Sequence, residues 1–316
     1  EDGDESWQAP RKVERFFTQF NGEGWVYDRP EHIYVVRSDG NGAPRNLTPG
    51  EFQHGNPSWL ADSSGVVVTA QRHATWDLDF ANDLYLVPLD GEIAEVTHQT
   101  GVYHLPSVGP DGTIAFIGYD DSSTDPQNAK VGITTVTGDG HHWVSAALDR
   151  TFLTTAGNRA PVWVDGTTVL ATAEDRGQTH LFAVSTDGSE PRRVTSGPIT
   201  VKGFDHAGGT TVYVAGAVDE VADVFVVTDA APRRLTTFAD TYRQAAQPLS
   251  WERFAVPCTD GTNEIDAWIM RPAGFDPSQT YPVLLNVHGG PHTQYGETLF
   301  DEAQFQAAAG FVVLMS

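Results

Sequence analysis

Cysteine is almost absent from this chain of 316 residues. The single cysteine, Cys258, excludes an intrachain disulfide. Its neighbours Pro257 and Thr259 offer no histidine or lysine that would activate a thiol, so we interpret Cys258 as structural. A chain without disulfides suits a reducing compartment, and we expect a cytoplasmic protein.

Basic residues are also scarce. Nineteen lysines and arginines face 42 aspartates and glutamates, which gives a formal net charge of −23. Nucleic acids and anionic membranes are bound by clustered basic side chains, so this balance argues against both as partners. We expect a solvated acidic surface instead.

Long hydrophobic runs are missing as well. No apolar stretch approaches the roughly 20 residues that a membrane-spanning helix needs. Four of the first five residues are acidic and no apolar segment follows them, which is unlike a signal peptide. The chain does not begin with methionine, and we expect it to be an internal segment of a longer protein.

Metal and phosphate motifs are lacking too. Asp77, Asp79 and Asp83 do not follow the alternation of a calcium loop, and His141-His142 has no third ligand at a useful spacing. No glycine-rich phosphate fingerprint occurs. We therefore expect neither a metal nor a cofactor.

A repeat fills the first two-thirds of the chain. Four segments read as a β-branched strand, a turn containing aspartate and a return that ends in an apolar residue and threonine: residues 33–48, 84–97, 181–195 and 224–236. The terminal threonines lie 49, 98 and 41 residues apart, and 98 is twice 49. A weaker copy, residues 133–140, keeps the Asp139-Gly140 turn without the threonine and falls in the long interval.

A second set of strands alternates with these hairpins: residues 56–69, 105–117, 160–172 and 202–215. Each period of about 40–50 residues therefore holds about four short strands, which is typical of a β-propeller. A β-sandwich would repeat less regularly, and a β-helix has shorter repeats. We predict a mainly β fold whose residues 1–245 form an incomplete propeller of about five visible blades. Residues 15–27 look like the end of an earlier blade, so the leading blades are expected to be missing.

The character of the sequence changes after Asp240. A hairpin over residues 254–270 precedes the apolar run 283–287, which we predict to be a strand buried on both faces. A helix over residues 298–309 with Gly310 at its end, and then a buried strand over residues 311–315, follow from the apolar pattern. This order is typical of the start of an α/β-hydrolase domain over residues 246–316, truncated so that strand 311–315 lacks its later neighbours.

His288, Gly289, Gly290 and Pro291 follow the apolar run. Glycines let the backbone turn tightly and bring its N–H groups close to a ligand, as an oxyanion hole requires. In α/β-hydrolases an HGGG-type loop after the third strand has this role. The alternative is an ordinary strand-to-loop turn.

Residues 281–291 (Tyr-Pro-Val-Leu-Leu-Asn-Val-His-Gly-Gly-Pro) and 310–314 (Gly-Phe-Val-Val-Leu) resemble the prolyl oligopeptidase family of serine peptidases. The acylaminoacyl-peptidase and dipeptidyl-aminopeptidase-like branch is the most similar, and residues 15–36 resemble its propeller more weakly. The resemblance implies acyl transfer from a short peptide substrate to a serine of a Ser-His-Asp triad, beneath a propeller that restricts entry. It also implies that the Gly290 N–H is an oxyanion-hole donor, that Gly289 permits the turn, and that His288 shapes the loop.

The sequence departs from the family at the nucleophile, because it contains no Gly-x-Ser-x-Gly elbow. Ser316 follows a strand without elbow glycines and is not expected to be the nucleophile. The resemblance implies a triad beyond Ser316, so we expect this chain alone to be inactive and to need the remainder of the hydrolase domain as its partner. An esterase- or lipase-like hydrolase and a non-catalytic propeller scaffold remain alternatives, and a homo-oligomer is compatible with the sequence.

Overall fold

The computed structural model describes residues 12–20, 22, 24–98, 101–124, 126–290 and 293–316. In these residues the chain forms a mainly β fold with 24 strands and two α-helices. Two short hairpins come first: β1 (Gln19–Phe20) with β2 (Gly24–Trp25), and β3 (Tyr34–Val35) with β4 (Arg45–Asn46).

Four antiparallel units of four strands follow, and we name them the first to fourth blades. The first blade consists of β5 (His54–Trp59), β6 (Gly65–Ala70), β7 (Asp83–Pro88) and β8 (Ala94–Glu95). The second consists of β9 (Val102–Val108), β10 (Ile114–Tyr119), β11 (Lys130–Thr134) and β12 (His142–Trp143), with a short 3-10 helix at Ser122–Thr124. The third consists of β13 (Val162–Trp163), β14 (Thr168–Asp175), β15 (Gln178–Ser185) and β16 (Arg192–Arg193). The fourth consists of β17 (Thr200–Ala207), β18 (Thr210–Ala217), β19 (Glu220–Val226) and β20 (Arg233–Arg234).

These units confirm the repeat that the sequence predicts. Each blade contains one pair of strands from the second predicted set and one predicted hairpin, in the expected order. The third and fourth blades also touch through a parallel bridge between Thr179 and Thr200. The chain thus has a propeller fold, while the number of blades stays a prediction.

A hydroxyl group closes each repeat. The side chains of Thr48, Thr97, Thr195 and Thr236 each accept a backbone N–H from the preceding part of the same repeat, at 2.9–3.0 Å; the donors are Ile33, Leu84, Leu181 and Val224. In the second blade, where the sequence pattern shows no threonine, Ser145 accepts the Val131 N–H at 2.9 Å. The weak copy therefore keeps the closing hydrogen bond with the smaller hydroxyl residue.

The core lies between successive blades rather than in one central mass. Val67 and Leu84 of the first blade pack against Tyr103, Ile114 and Phe116 of the second, and all five are fully buried. Equivalent clusters join the second blade to the third and the third to the fourth. Face-to-face packing of alternating apolar side chains thus stabilises the stack of blades.

Helix α1 (Phe238–Ala246) links the fourth blade to the C-terminal residues, and the sequence patterns do not predict it. Its first N–H groups are bound by Asp223 of β19, whose carboxylate accepts from Phe238 at 2.8 Å and Ala239 at 3.2 Å. Burial would raise the pKa of Asp223, but hydrogen bonds from Thr236, the two helix N–H groups and Arg234 outweigh it and lower the pKa. A side chain 15 residues away in sequence therefore stabilises this helix start.

The C-terminal unit is a four-stranded sheet with one helix. It contains β21 (Trp251–Pro257), β22 (Glu264–Met270), β23 (Val283–Asn286), α2 (Asp301–Ala308) and β24 (Val312–Met315), and the strand order is β21-β22-β24-β23. Strands β23 and β24 are parallel and joined through α2, whereas the other pairs are antiparallel. The predicted hairpin, helix and strands are confirmed, with the helix three residues shorter at its start and Gly310 following it at φ +95°.

Two expectations about this sheet are wrong. Strand β23 is not buried on both faces, because Val283 is 56% exposed and Leu285 63%. It is the edge strand, so among the described residues it pairs with β24 alone. Strand β24 does not lack neighbours: it lies between β22 and β23, and Val313 and Met315 are fully buried. Apolar composition alone does not reveal which of two similar strands is central.

Neither α1 nor α2 is long and apolar enough to cross a membrane, and no other helix among the described residues is.

Candidate active site

The loop from His288 to Gly290 leaves the carboxyl end of β23. Parallel pairing continues past the strand, since the His288 N–H donates to the Ser316 carbonyl and the Ser316 N–H to the Asn286 carbonyl, both at 3.3 Å. The carboxyl edge of parallel strands is where open α/β sheets bind ligands. The sheet therefore presents this loop at a position suited to chemistry.

Gly290 has a backbone conformation that favours glycine, with φ +126°. Gly289 differs: its φ is outside the left-handed region and a Cβ there would meet no atom within 4 Å. Among the described residues, no acceptor is bound by the N–H of Gly289 or of Gly290. Pro291 lies outside the described residues. The loop thus carries two backbone donors on residues without side chains.

His288 contacts the loop that it belongs to. Its Nδ1 lies 3.0 Å from the Gly289 carbonyl and 3.2 Å from Thr293 Oγ1, and that hydroxyl also donates to the Gly289 carbonyl. Its ring stands edge-on to Tyr295 at a centroid distance of 6.2 Å. These contacts surround the loop backbone.

No catalytic triad is assembled in the part of the chain that the structure describes. No serine hydroxyl there hydrogen-bonds to a histidine, and Ser316 is engaged through its backbone as a continuation of β24. Asp79 binds His73, Thr75 and the Ala81 N–H, and the described residues hold no cluster of three metal-ligating side chains. His141 is packed among the rings of Tyr103, Phe116 and Trp143.

The turn between β14 and β15 holds the propeller against the C-terminal unit. It is a two-residue hairpin turn in which Arg176 (φ +52°) and Gly177 (φ +79°) both have positive φ. Arg176 donates two hydrogen bonds to Asp266, at 3.0 and 3.1 Å, and Arg253 donates to the same carboxylate. We call this turn and its contacts the latch.

Gly177 binds the segment that follows the His288–Gly290 loop. Its N–H donates to Gln294 Oε1 at 3.1 Å, and its carbonyl accepts the Glu297 N–H at 2.6 Å. A Cβ at Gly177 would overlap the Trp268 ring, and one at Gly296 would overlap the Gly177 carbonyl. Both glycines are required here by close approach of two backbones.

Glu297 is buried beside the latch, with 8% of its surface exposed. Burial raises its pKa, while the indole N–H groups of Trp268 and Trp251 and the charge of Arg253 oppose that rise. Those indole groups lie near the carboxylate without meeting hydrogen-bond geometry. A cleft of about 340 Å³ adjoins the latch, between Thr155 and Lys202 of the propeller and Tyr295 of the loop segment. Sequence patterns do not reveal the latch, because its partners are 90–120 residues apart.

No protein-family model matches the chain. Residues of this chain are 50% identical over 50 positions to the uncharacterized peptidase YuxL of Bacillus subtilis, covering 16% of this chain and 8% of that protein. They are 28% identical over 139 positions to dipeptidyl-peptidase 5 of Trichophyton equinum, covering 42% of this chain and 19% of that protein. The matched segments thus span less than a fifth of these relatives.

The acylaminoacyl peptidase of Pyrococcus horikoshii has a similar structure. It superposes with a TM-score of 0.76 over 98% of this chain and 46% of its own, at 18% identity, so this likeness concerns the fold alone. Neighbours of this kind have propeller and hydrolase domains. The peptidase relatives and the shared architecture support the resemblance to the prolyl oligopeptidase family.

Proposed function

We propose that this chain is part of a propeller-gated serine peptidase that hydrolyses short peptides. The observation that supports it most is Gly290, a glycine at φ +126° whose N–H binds no acceptor among the described residues. It lies at the carboxyl end of a parallel strand pair, as an oxyanion hole on this type of sheet would. On this proposal residues 1–245 are propeller and 246–316 begin an α/β-hydrolase domain, with α1 at the boundary.

In the proposed reaction a serine hydroxyl gives its proton to the triad histidine and attacks the carbonyl carbon of a peptide bond. The carbonyl oxygen becomes an oxyanion, and the Gly290 N–H donates a hydrogen bond to it as charge develops. The C–N bond then breaks, the amine leaves with that proton, and water releases the acyl group from the serine. Gly289 leaves space beside the loop, and His288 shapes it through the Gly289 carbonyl. The serine would come from the remainder of the hydrolase domain, because this sequence contains no nucleophile elbow.

The proposed gating rests on the latch. Because the propeller turn at Gly177 binds both Gln294 and Glu297, the blades lie directly against the segment that follows the loop. A peptide reaching the loop would have to pass beside the blades, which favours short or unstructured substrates. The peptidase names of the sequence relatives agree with this substrate class.

A serine-reactive fluorophosphonate tests the proposal. We expect it to label a protein in which this chain is joined to the remainder of its hydrolase domain, and to leave the 316-residue chain unlabelled. Labelling of the isolated chain would contradict the assignment of the nucleophile to other residues. Hydrolysis of short acyl esters but not of acyl-peptide amides by the joined protein would favour an esterase instead.

A further inference from the structure

A pocket of about 370 Å³ lies on the propeller, apart from the His288–Gly290 loop. Aromatic rings form much of its wall, with Tyr27 from the N-terminal segment, Trp76 and Phe80 from the β6–β7 loop, and Tyr119 from the end of β10. We call it the aromatic pocket. Phe80 is 62% exposed, so its ring is available at the rim.

The charged groups of the aromatic pocket neutralise one another. Arg15 donates to Glu51 at 2.6 Å, and its guanidinium lies over the rings of Trp76 and Tyr27 at 5.3 and 5.8 Å. Burial lowers the pKa of His104 to about 4, so this imidazole is uncharged at neutral pH. A charged ligand would therefore lose hydration without gaining a free counter-ion, whereas an aromatic ring would meet rings and aliphatic groups.

The three amide side chains that line the pocket, Gln53, Gln71 and Asn82, differ in their hydrogen bonds to the described residues. Asn82 Oδ1 accepts the Tyr103 N–H at 2.7 Å, and Gln71 donates to the Ala81 carbonyl at 3.2 Å. Gln53 makes no side-chain hydrogen bond to any described residue. Its amide can both donate to and accept from a peptide group, as a bound peptide backbone requires.

The aromatic pocket lies on the end of the propeller that faces the C-terminal unit. The latch is formed where β14 ends and β15 begins. The pocket is lined where β6 and β10 end and where β9 begins. These strand ends lie at the corresponding ends of neighbouring blades. Leu153 lines the pocket and Thr155 lines the cleft beside Tyr295. Two residues span at most about 7 Å, so pocket and cleft adjoin.

We propose that the aromatic pocket binds an uncharged aromatic side chain of the peptide substrate, with the Gln53 amide bound to the backbone of that residue. This inference rests on the proposed peptidase function and names its substrate class. The pocket selects the residue, whereas the His288–Gly290 loop acts on the peptide bond.

Peptide binding to the 316-residue chain tests the inference without any catalytic step. The probes are N-acetyl-Phe-Ala-amide and its lysyl and aspartyl counterparts, followed by ligand-observed NMR. We expect the phenylalanyl peptide to bind at least about tenfold more tightly than the charged ones. Phe80→Ala should weaken its binding roughly two- to tenfold, the range that one aromatic contact supplies.

Phe305→Ala is the matched control, since this phenylalanine of α2 is 72% exposed and does not line the pocket. The Phe305→Ala variant should bind the phenylalanyl peptide as tightly as the unchanged chain does. Gln53→Met, which keeps the side-chain length but removes the amide, should weaken binding of the phenylalanyl peptide without strengthening that of the charged ones. Equal effects of Phe80→Ala and Phe305→Ala, equal affinity for the three peptides or no binding at all would each overturn the inference. None of these results tests the proposed peptidase function, which is tested by the fluorophosphonate labelling.

Discussion

At the scale of single residues, two small residues contribute more to the structure than their size suggests. Gly290 holds a conformation that other residues rarely adopt, and Ser145 supplies the hydroxyl that closes the second blade. Ser145 is fully buried, and so the Val131 N–H that it binds has no access to water in its place. Substituting Gly290 or Ser145 should therefore have a measurable effect.

Gly290→Ala should reduce kcat in a protein that contains the nucleophile. Alanine disfavours φ +126°, so the loop would turn and move the N–H from the oxyanion. Removing one such donor costs about a hundredfold to a thousandfold in kcat. Gly289→Ala is the control, since its Cβ meets open space and its φ is ordinary; we expect it to lower kcat far less. Comparable kcat values for the two variants, with unchanged melting temperatures, would remove Gly290 from the mechanism.

Ser145→Ala should destabilise the propeller. The buried Val131 N–H would lose its acceptor, at a cost of about 1–3 kcal/mol. Ser145→Thr restores the residue found at this point of the other repeats and should retain most of the stability. Urea unfolding followed by circular dichroism measures both, and a Ser145→Ala variant as stable as the unchanged chain would refute the role of the hydroxyl.

At the scale of elements, local patterns predict most strands but not how they meet. Alternating apolar residues and turns that contain aspartate predict each blade hairpin, because strand period and turn chemistry are encoded within about ten residues. They do not separate the edge strand β23 from the central strand β24, since both are short apolar runs. The patterns do not predict helix α1 for a similar reason, because its first N–H groups are bound by Asp223, a residue of strand β19.

Local patterns do not predict the latch either, because its contacts join residues that are far apart in the sequence. Motif reasoning predicts the position of the His288–Gly290 loop after a strand, but not the docking of Arg176 on Asp266, 90 residues away. A two-residue turn in the third blade looks like any other hairpin turn in the sequence. Its role depends on the tertiary structure.

Gly177→Ala should loosen the segment after the loop. Gly188 provides a close control, because its φ of +78° nearly equals the +79° of Gly177, while a Cβ there would meet no atom. Both alanine variants carry the same backbone strain, but only Gly177→Ala would press on Trp268 and Gly296. Hydrogen exchange of residues 293–300 should rise in Gly177→Ala alone; equal exchange in the two variants would show that the latch does not order this segment.

At the scale of the whole molecule, the excess of acidic residues is spread over turns. Aspartates at strand connections accept the N–H two residues further along, and these backbone hydrogen bonds help lower their pKa values; Asp62, Asp111, Asp165, Asp187 and Asp260 share this arrangement. Each charge is thus stabilised locally and exposed to water. The formal charge of −23 nevertheless sums over one compact body.

That net charge predicts that salt changes the stability of the fold, in a direction that depends little on single contacts. Like charges repel across the folded chain more than across the unfolded one, and salt shortens the range of this repulsion, from about 30 Å at 0.01 M to about 8 Å at 0.15 M. The melting temperature at pH 7 should therefore rise by a few degrees when sodium chloride is increased over this range. The same titration near pH 4.6, the isoelectric point of the sequence, should give almost no rise, because the repulsion is then small. An equal increase at both pH values would assign the effect to ion binding or salting-out, and a fall at pH 7 would mean that attractive ion pairs such as Arg176–Asp266 dominate the electrostatics of the fold.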